Sequence, residues 1–326
     1  MTASETRPVL HLPARDIPVP SSVSAEAQAV LAAGPMEGPE SPPLDDIAGW
    51  RAMIAARDEA LLPFLADRAS RVAADVEEID ADGVGVFVIT PHDVPAGDGR
   101  VFLEIHGGGM IMGGGACCRA MGTSTAARVG VRVWTVDYRM PPDHPYPTPL
   151  DDCVAVYRVL LRDHRPDDII VGGASAGGNL AAALILRGRD EGLPLPAAAV
   201  LLTPQLDLTE SGDSFQTNRG LDTVITGSSM PNNLLYAAGH DLADPYVSPL
   251  FGDFSKGFPP TLLATGTRDL FLSNTVRMHR ALRTTGVPAE LHVMEAAPHG
   301  GFFGSAPEDT ELEREVRRFV DAQWAP

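Results

Sequence analysis

Short apolar runs recur along the chain, and between them lie stretches whose apolar residues repeat every three or four positions. The runs Val76–Ile79, Val84–Thr90, Val101–Ile105, Val131–Asp137, Ile169–Gly172, Ala198–Thr203, Thr261–Thr265 and Leu291–Glu295 predict eight strands. Helical spacing predicts helices over Ala25–Ala33, Leu44–Ala73 with a break near Pro63, Pro149–Asp163, Ser228–Ala238, Ser273–Thr284 and Glu308–Gln323. Residues 8–43 are rich in proline and poor in strand pattern. The later strands alternate with helices, so the expected fold class is α/β, a mostly parallel, doubly wound eight-stranded sheet with an antiparallel start. No internal repeat appears. The interval Asp207–Asp244 breaks the rhythm without a strand, and irregular loops of that length tend to be functional lids.

The run Gly173-Ala174-Ser175-Ala176-Gly177 sits between the apolar run 169–172 and the helix-forming stretch Gly178–Leu186. A serine on a strand-to-helix turn, with glycines two residues before and after it, matches a nucleophile elbow. Small residues let the two elements approach closely, and the hydroxyl is lifted above the unpaired first amides of the helix. The pentapeptide alone also approximates a dinucleotide-binding turn, but the middle glycine of that fingerprint is missing. Upstream, the strand 101–105 runs into His106-Gly107-Gly108-Gly109. Three glycines allow successive N–H groups to turn toward one point, so the amides of Gly107, Gly108 and Ala176 are the expected oxyanion-hole donors. His106 is expected to orient this loop through its ring.

A serine-first arrangement needs an acid and then a histidine, in that chain order. Asp269 follows the strand 261–265, and His299 lies in a Pro298-His299-Gly300 loop after the last strand. The expected roles are Ser175 as nucleophile, His299 as proton carrier and Asp269 as the group that fixes its tautomer. Glu295 is the rival acid, and Asp269 could instead cap the helix beginning near Ser273. An apolar pocket wall is sought in Met110, Ile111, Met112, Leu206, Phe215, Leu270, Phe302 and Phe303, each of which could equally be core. The remaining histidines show no H-E-x-x-H or i, i+4 pairing, so no metal and no other cofactor is expected.

The chain has 326 residues, 44% of them hydrophobic, enough for one large α/β domain with an accessory piece. Its formal net charge of −18 argues against nucleic acid and anionic membranes as partners. The three cysteines, Cys117, Cys118 and Cys153, do not suggest a disulfide framework, so a cytoplasmic location is expected. No apolar stretch follows Met1–Arg7, and no window reaches the roughly 18 apolar residues of a membrane span. Stable membrane insertion is therefore not expected.

With these residues in hand, the chain resembles the hormone-sensitive-lipase-like family of α/β-hydrolases, the bacterial family IV esterases. The matching segments are HGGG from His106, VDYRMPPDHPYPTPLDD from Val136, GASAGGNLA from Gly173, DPYVSPL from Asp244, GTRDLFLS from Gly266 and PHGGF from Pro298. Ala174 departs from the Asp or Thr usual before the nucleophile, and Met140–Asp143 differs from the usual Leu-Ala-Pro-Glu. The resemblance implies an α/β-hydrolase core over 74–206 and 245–326, capped by the segment 1–73 and the insertion 207–244. It implies a serine carboxylesterase for small to medium acyl esters, with lactone or amide hydrolysis by the same residues as the alternative. A non-catalytic small-molecule receptor on the same fold is a remote alternative, disfavoured by the presence of His299. The family also implies a homodimer paired through the last strand and helix. The stripe Leu312, Val316, Phe319 and Val320 is compatible with that, and equally with the helix's own core face.

Overall fold

The computed structural model describes residues 9–36, 38 and 40–324; the first eight residues of the expected N-terminal segment, and the Met1–Arg7 reading, lie outside them. The strands are β1 (Ala74–Ala81), β2 (Val84–Pro91), β3 (Val101–Ile105), β4 (Arg132–Asp137), β5 (Ile169–Ala174), β6 (Ala198–Leu202), β7 (Thr261–Gly266) and β8 (Ala289–Met294). The helices are α1 (Ala25–Ala32), α2 (Ile47–Ala69), α3 (Ala116–Val129), α4 (Thr148–Asp163), α5 (Ala176–Asp190), α6 (Ser214–Thr217), α7 (Met230–Ala237), α8 (Leu272–Thr284) and α9 (Pro307–Gln323). One eight-stranded sheet has the order β1-β2-β4-β3-β5-β6-β7-β8. β2 pairs antiparallel with β1 and β4, and the other neighbours run parallel. The antiparallel start follows from the Asp82-Gly83 turn, where both residues take the positive φ of a two-residue hairpin.

The two-residue period of each strand divides the core into two layers. Val101, Leu103 and Ile105 of β3, Ile169 and Val171 of β5 and Leu263 of β7 face a layer completed by Leu150 and Leu160 of α4, Leu180 and Leu184 of α5 and Met278 of α8. Phe102, Ile170, Leu262 and Ala264 face the opposite layer, against Ala126 and Val129 of α3 and Val316, Phe319 and Val320 of α9. The apolar stripe of α9 is thus consumed by its own core. Of the expected dimer contact, the part that stays uncovered is the edge of β8, where Val293 is exposed.

The expected break near Pro63 does not occur: α2 runs through it from Ile47 to Ala69. Pro63 and Glu59, whose carbonyl loses its donor, both lie on the exposed face, where water can take the place of the missing N–H. The irregular interval after β6 contains α6 and α7 and no strand. It is tied to α8 by Arg277 Nη1, 2.7 Å from the buried carboxylate of Asp207, and by Ser214 Oγ, which accepts from Ser273 N at 2.9 Å. Among the described residues no helix is long and apolar enough to cross a membrane.

Backbone packs closely where α5 crosses the carboxyl end of β3. A Cβ on Gly177 would run into the carbonyl oxygens of Ile105 and His106, and one on Gly173 would collide with the Gly177 carbonyl. The obstacles are buried backbone, in β3 and just after it and in α5, and cannot yield. Gly177→Ala is therefore expected to lower unfolding stability by about 3 kcal/mol or more, read as a fall in the urea midpoint; an unchanged midpoint contradicts this account.

Candidate active site

Ser175 occupies the turn between β5 and α5 with φ 56° and ψ −121°, a conformation unfavourable for any residue bearing a Cβ. The turn holds because its ends are anchored: Ser175 N donates to Leu202 O at 2.9 Å, and Gln205 N to Ser175 O at 3.1 Å. The side chain is left half-buried at the carboxyl edge of the sheet, above the first amides of α5.

Two loops bring the expected partners to it. His299 Nε2 lies 2.9 Å from Ser175 Oγ, and His299 Nδ1 lies 3.1 Å from Asp269 Oδ1. A carboxylate only accepts, so Nδ1 carries the proton and Nε2 is free to accept the serine hydroxyl. Asp269 has no exposed surface. It is held by Thr265 Oγ1, which donates to Oδ2 at 2.7 Å, and by Phe271 N, which donates to Oδ1 at 2.8 Å. The Phe271 ring stands edge-on to the imidazole, 4.8 Å between centroids. Glu295 is exposed and outside this chain of contacts, so Asp269 is the acid that meets the histidine. Desolvation pulls the His299 pKa down, but the charge and hydrogen bond of Asp269, with the charge of Asp222, more than offset it and raise it above the ordinary value.

The glycine loop lies against the elbow: a Cβ on Gly107 would come 3.0 Å from Ala174 O and 3.5 Å from Ser175 Cβ. Gly108 has φ 133°, which only glycine adopts without strain. Among the described residues, nothing accepts a hydrogen bond from the amides of Gly107 and Gly108. The loop is fixed from behind by two aspartates: Asp58 Oδ1 of α2 accepts from Gly113 N at 2.9 Å, and Asp137 Oδ1 accepts from Gly115 N at 2.8 Å. His106 stacks on Tyr138 at 4.1 Å and donates from Nδ1 to Gly107 O at 2.7 Å. Burial drives its pKa down to about 4, so it stays neutral and acts by shape and hydrogen bonding.

Of the expected pocket residues, Met112 and Phe303 keep exposed surface. Met110, Ile111 and Leu206 are buried in the main core, Phe215 and Leu270 pack with Phe271, and Phe302 packs under α1 against Ala27 and Leu31. Phe303 meets Phe64 of α2 edge-to-face at 6.4 Å. The sequence reading did not single out Asp58, Thr265, Asn218 or Asp222, all of which touch the loops of this site. They act on backbone groups or on a neighbour's carboxylate, and such contacts leave no periodic signal.

His106, Cys118 and Asp137 bring their possible ligand atoms within 4.8 Å of one another. Burial pushes the Cys118 thiol well above its ordinary pKa, away from the thiolate a metal needs. Its sulfur lies within hydrogen-bond reach of Thr135 Oγ1 and Val136 O, and Asp137 is engaged by Gly115, so the cluster reads as a brace for the glycine loop.

Comparison with known proteins identifies the family. Residues 102–303 match the family described as the alpha/beta hydrolase fold. An esterase of Acinetobacter venetianus is 36% identical over 181 residues, covering 55% of this chain and 59% of that protein, so the match spans less than two thirds of that relative. The crystal structure of an esterase superposes with TM-score 0.87 at 35% identity, covering 96% of this chain and 98% of the other. An esterase from the bacterial hormone-sensitive lipase family superposes with TM-score 0.76 at 30% identity, covering 93% and 99%. With the elbow, the glycine loop and the fold in agreement, the chain belongs to the bacterial hormone-sensitive lipase family of α/β-hydrolases.

Proposed function

We propose that the protein is a serine carboxylesterase acting on small to medium acyl esters. The observation that carries this reading is the continuous chain Ser175–His299–Asp269, at 2.9 and 3.1 Å, beside a glycine loop with unpaired amides. As Ser175 Oγ attacks the ester carbonyl carbon, its proton passes to His299 Nε2. The carbonyl oxygen becomes an oxyanion facing the amides of Gly107, Gly108 and Ala176, each such donor contributing roughly 3–4 kcal/mol in the transition state. The carbon–oxygen bond to the alcohol then breaks, and the alkoxide departs with the proton from His299. Water, deprotonated by the same nitrogen, attacks the acyl-serine; the acyl carbon–Oγ bond breaks, Ser175 Oγ takes the proton from His299, and the carboxylic acid leaves. Asp269 holds the tautomer and faces the imidazolium formed in each half-reaction.

The N-terminal segment and residues 207–244 are read as a cap over the core formed by 74–206 and 245–326. In support, α2 reaches the glycine loop through Asp58 and the histidine loop through Arg68, whose Nη1 donates to Phe303 O at 2.9 Å. Met112, Phe64 and Phe303 offer the apolar surface against which an acyl or alcohol chain would lie.

Ser175→Ala is expected to reduce kcat for p-nitrophenyl butyrate by roughly 10⁴-fold or more, with its circular dichroism unchanged and labelling by a fluorophosphonate lost. Unchanged turnover in that variant overturns the assignment. Because only neutral His299 serves as base, kcat/KM should rise with pH as one proton is lost. Its midpoint should lie above the ordinary histidine value of about 6.5, since Asp269 and Asp222 raise the pKa. A rate flat between about pH 5 and 8 contradicts the role of His299.

A further inference from the structure

The insertion between β6 and β7 carries a carboxylate with no exposed surface that the proposed reaction does not consume. Asp222 Oδ2 accepts from Leu270 N at 2.8 Å. Its Oδ1 accepts from Val224 N at 2.9 Å, Ile225 N at 3.1 Å and His299 N at 3.3 Å. Among the described residues, no lysine or arginine pairs with it. The carboxylate is satisfied by backbone amides, the arrangement that lets a buried charge persist. Leu270 directly follows Asp269, so one side chain grips the loop of the acid and the loop of the histidine by amides at or beside their reactive residues. Four residues earlier, Asn218 Nδ2 donates to Asp269 O at 2.8 Å and to Thr267 O at 3.1 Å. The insertion thus reaches the catalytic loops from within, as well as covering the core.

We propose that Asp222 is a positioning residue: it fixes the spacing between Asp269 and His299, and it is a second carboxylate beside the imidazole that favours the imidazolium formed during attack. The inference rests on the reading of Ser175, His299 and Asp269 as the reacting groups. Around the ring, the charged groups are Asp269 from the loop after β7 and Asp222 from the insertion; the Ser175 hydroxyl and the Phe271 ring face its other sides. The Asp222 pKa lies above the ordinary carboxylate value, raised first by burial and also by the charge of Asp269; the charge of His299 and the donated amides pull the other way, so within the pair the histidine and this carboxylate favour each other's charged forms.

The test is Asp222→Asn assayed with p-nitrophenyl butyrate, with rates expressed per active site by fluorophosphonate titration, so that misfolded protein does not count. The expected result is a fall in kcat of roughly tenfold or more with KM within about twofold, because ground-state binding is untouched. The acid limb of kcat/KM should also move to lower pH, since removing a negative charge disfavours the imidazolium. Wild-type kcat, a wild-type midpoint, or an effect confined to KM overturns the proposal. Should Asp222→Asn yield no folded protein, Asp222→Glu keeps the charge while displacing the acceptor oxygens. It should retain the wild-type midpoint with a lowered kcat, and either a wild-type kcat or a displaced midpoint overturns the proposal. An inert Ser175→Ala beside a wild-type-like Asp222→Asn overturns the role of Asp222 alone, whereas an active Ser175→Ala overturns the reading on which it rests.

Discussion

The contact between the Gly173–Gly177 turn and the carboxyl end of β3 sets the geometry of everything around it. Helix α5 can lie against the Ile105 and His106 carbonyls only because Gly177 lacks a Cβ, and the turn can close only because Gly173 lacks one. That closeness forces Ser175 to positive φ and raises its hydroxyl above the sheet. The same crowding brings the glycine loop that follows β3 against the elbow, so the proposed nucleophile and oxyanion donors share one packing contact. A substitution at the turn therefore perturbs the core and the placement of Ser175 together.

The loops above the sheet are held by a different device. Asp58, Asp137, Asp222, Asp269 and Asp309 each accept hydrogen bonds from backbone amides of loop residues, at Gly113, Gly115, Leu270 with His299, Phe271 and Phe302 respectively. An ionised carboxylate accepting N–H groups makes stronger bonds than neutral pairs do, and it spares irregular backbone from unsatisfied burial. Part of the acidic excess of the chain is spent inside the fold in this way. The net charge of −18 is therefore partly a structural quantity, and a reading of it as solubility alone misses that share.

Most of the framework was legible in the sequence, for identifiable reasons. Strands β3, β5 and β7 alternate residues between two apolar layers and are covered on both faces, so they appear as short continuous apolar runs. The turn at Ser175 and the loop at Gly107 carry glycines that backbone crowding demands. Three features were not legible. Helix α2 passes through Pro63 because the lost hydrogen bond falls on its exposed face, and exposure is decided by tertiary packing. Most of the expected pocket wall is core, because Met110, Ile111 and Leu206 have the composition either role would require. Asn218 and Asp222 act on backbone amides and carbonyls, and those contacts depend on where distant loops converge rather than on any spacing in the chain.

Carboxylates this close to a site where negative charge develops would be expected to oppose the reaction, and their placement resolves the conflict. Asp269 and Asp222 lie on the histidine side, where the charge that grows during attack is positive, and both raise the basicity of His299. In the proposed reaction the oxyanion forms on the opposite side of Ser175, against the amino end of α5 and the amides of the glycine loop, where the partial charges are positive. Asp58 and Asp137 are engaged with Gly113 and Gly115 rather than with the amides of Gly107 and Gly108. The site is thus polarised across the nucleophile, negative where a proton is to be received and positive where electrons are to collect. A fold that needs buried carboxylates to secure its loops can keep them next to an oxyanion only under that separation, which makes the insertion carrying Asp222 part of the proposed electrostatic design as well as of the proposed cap.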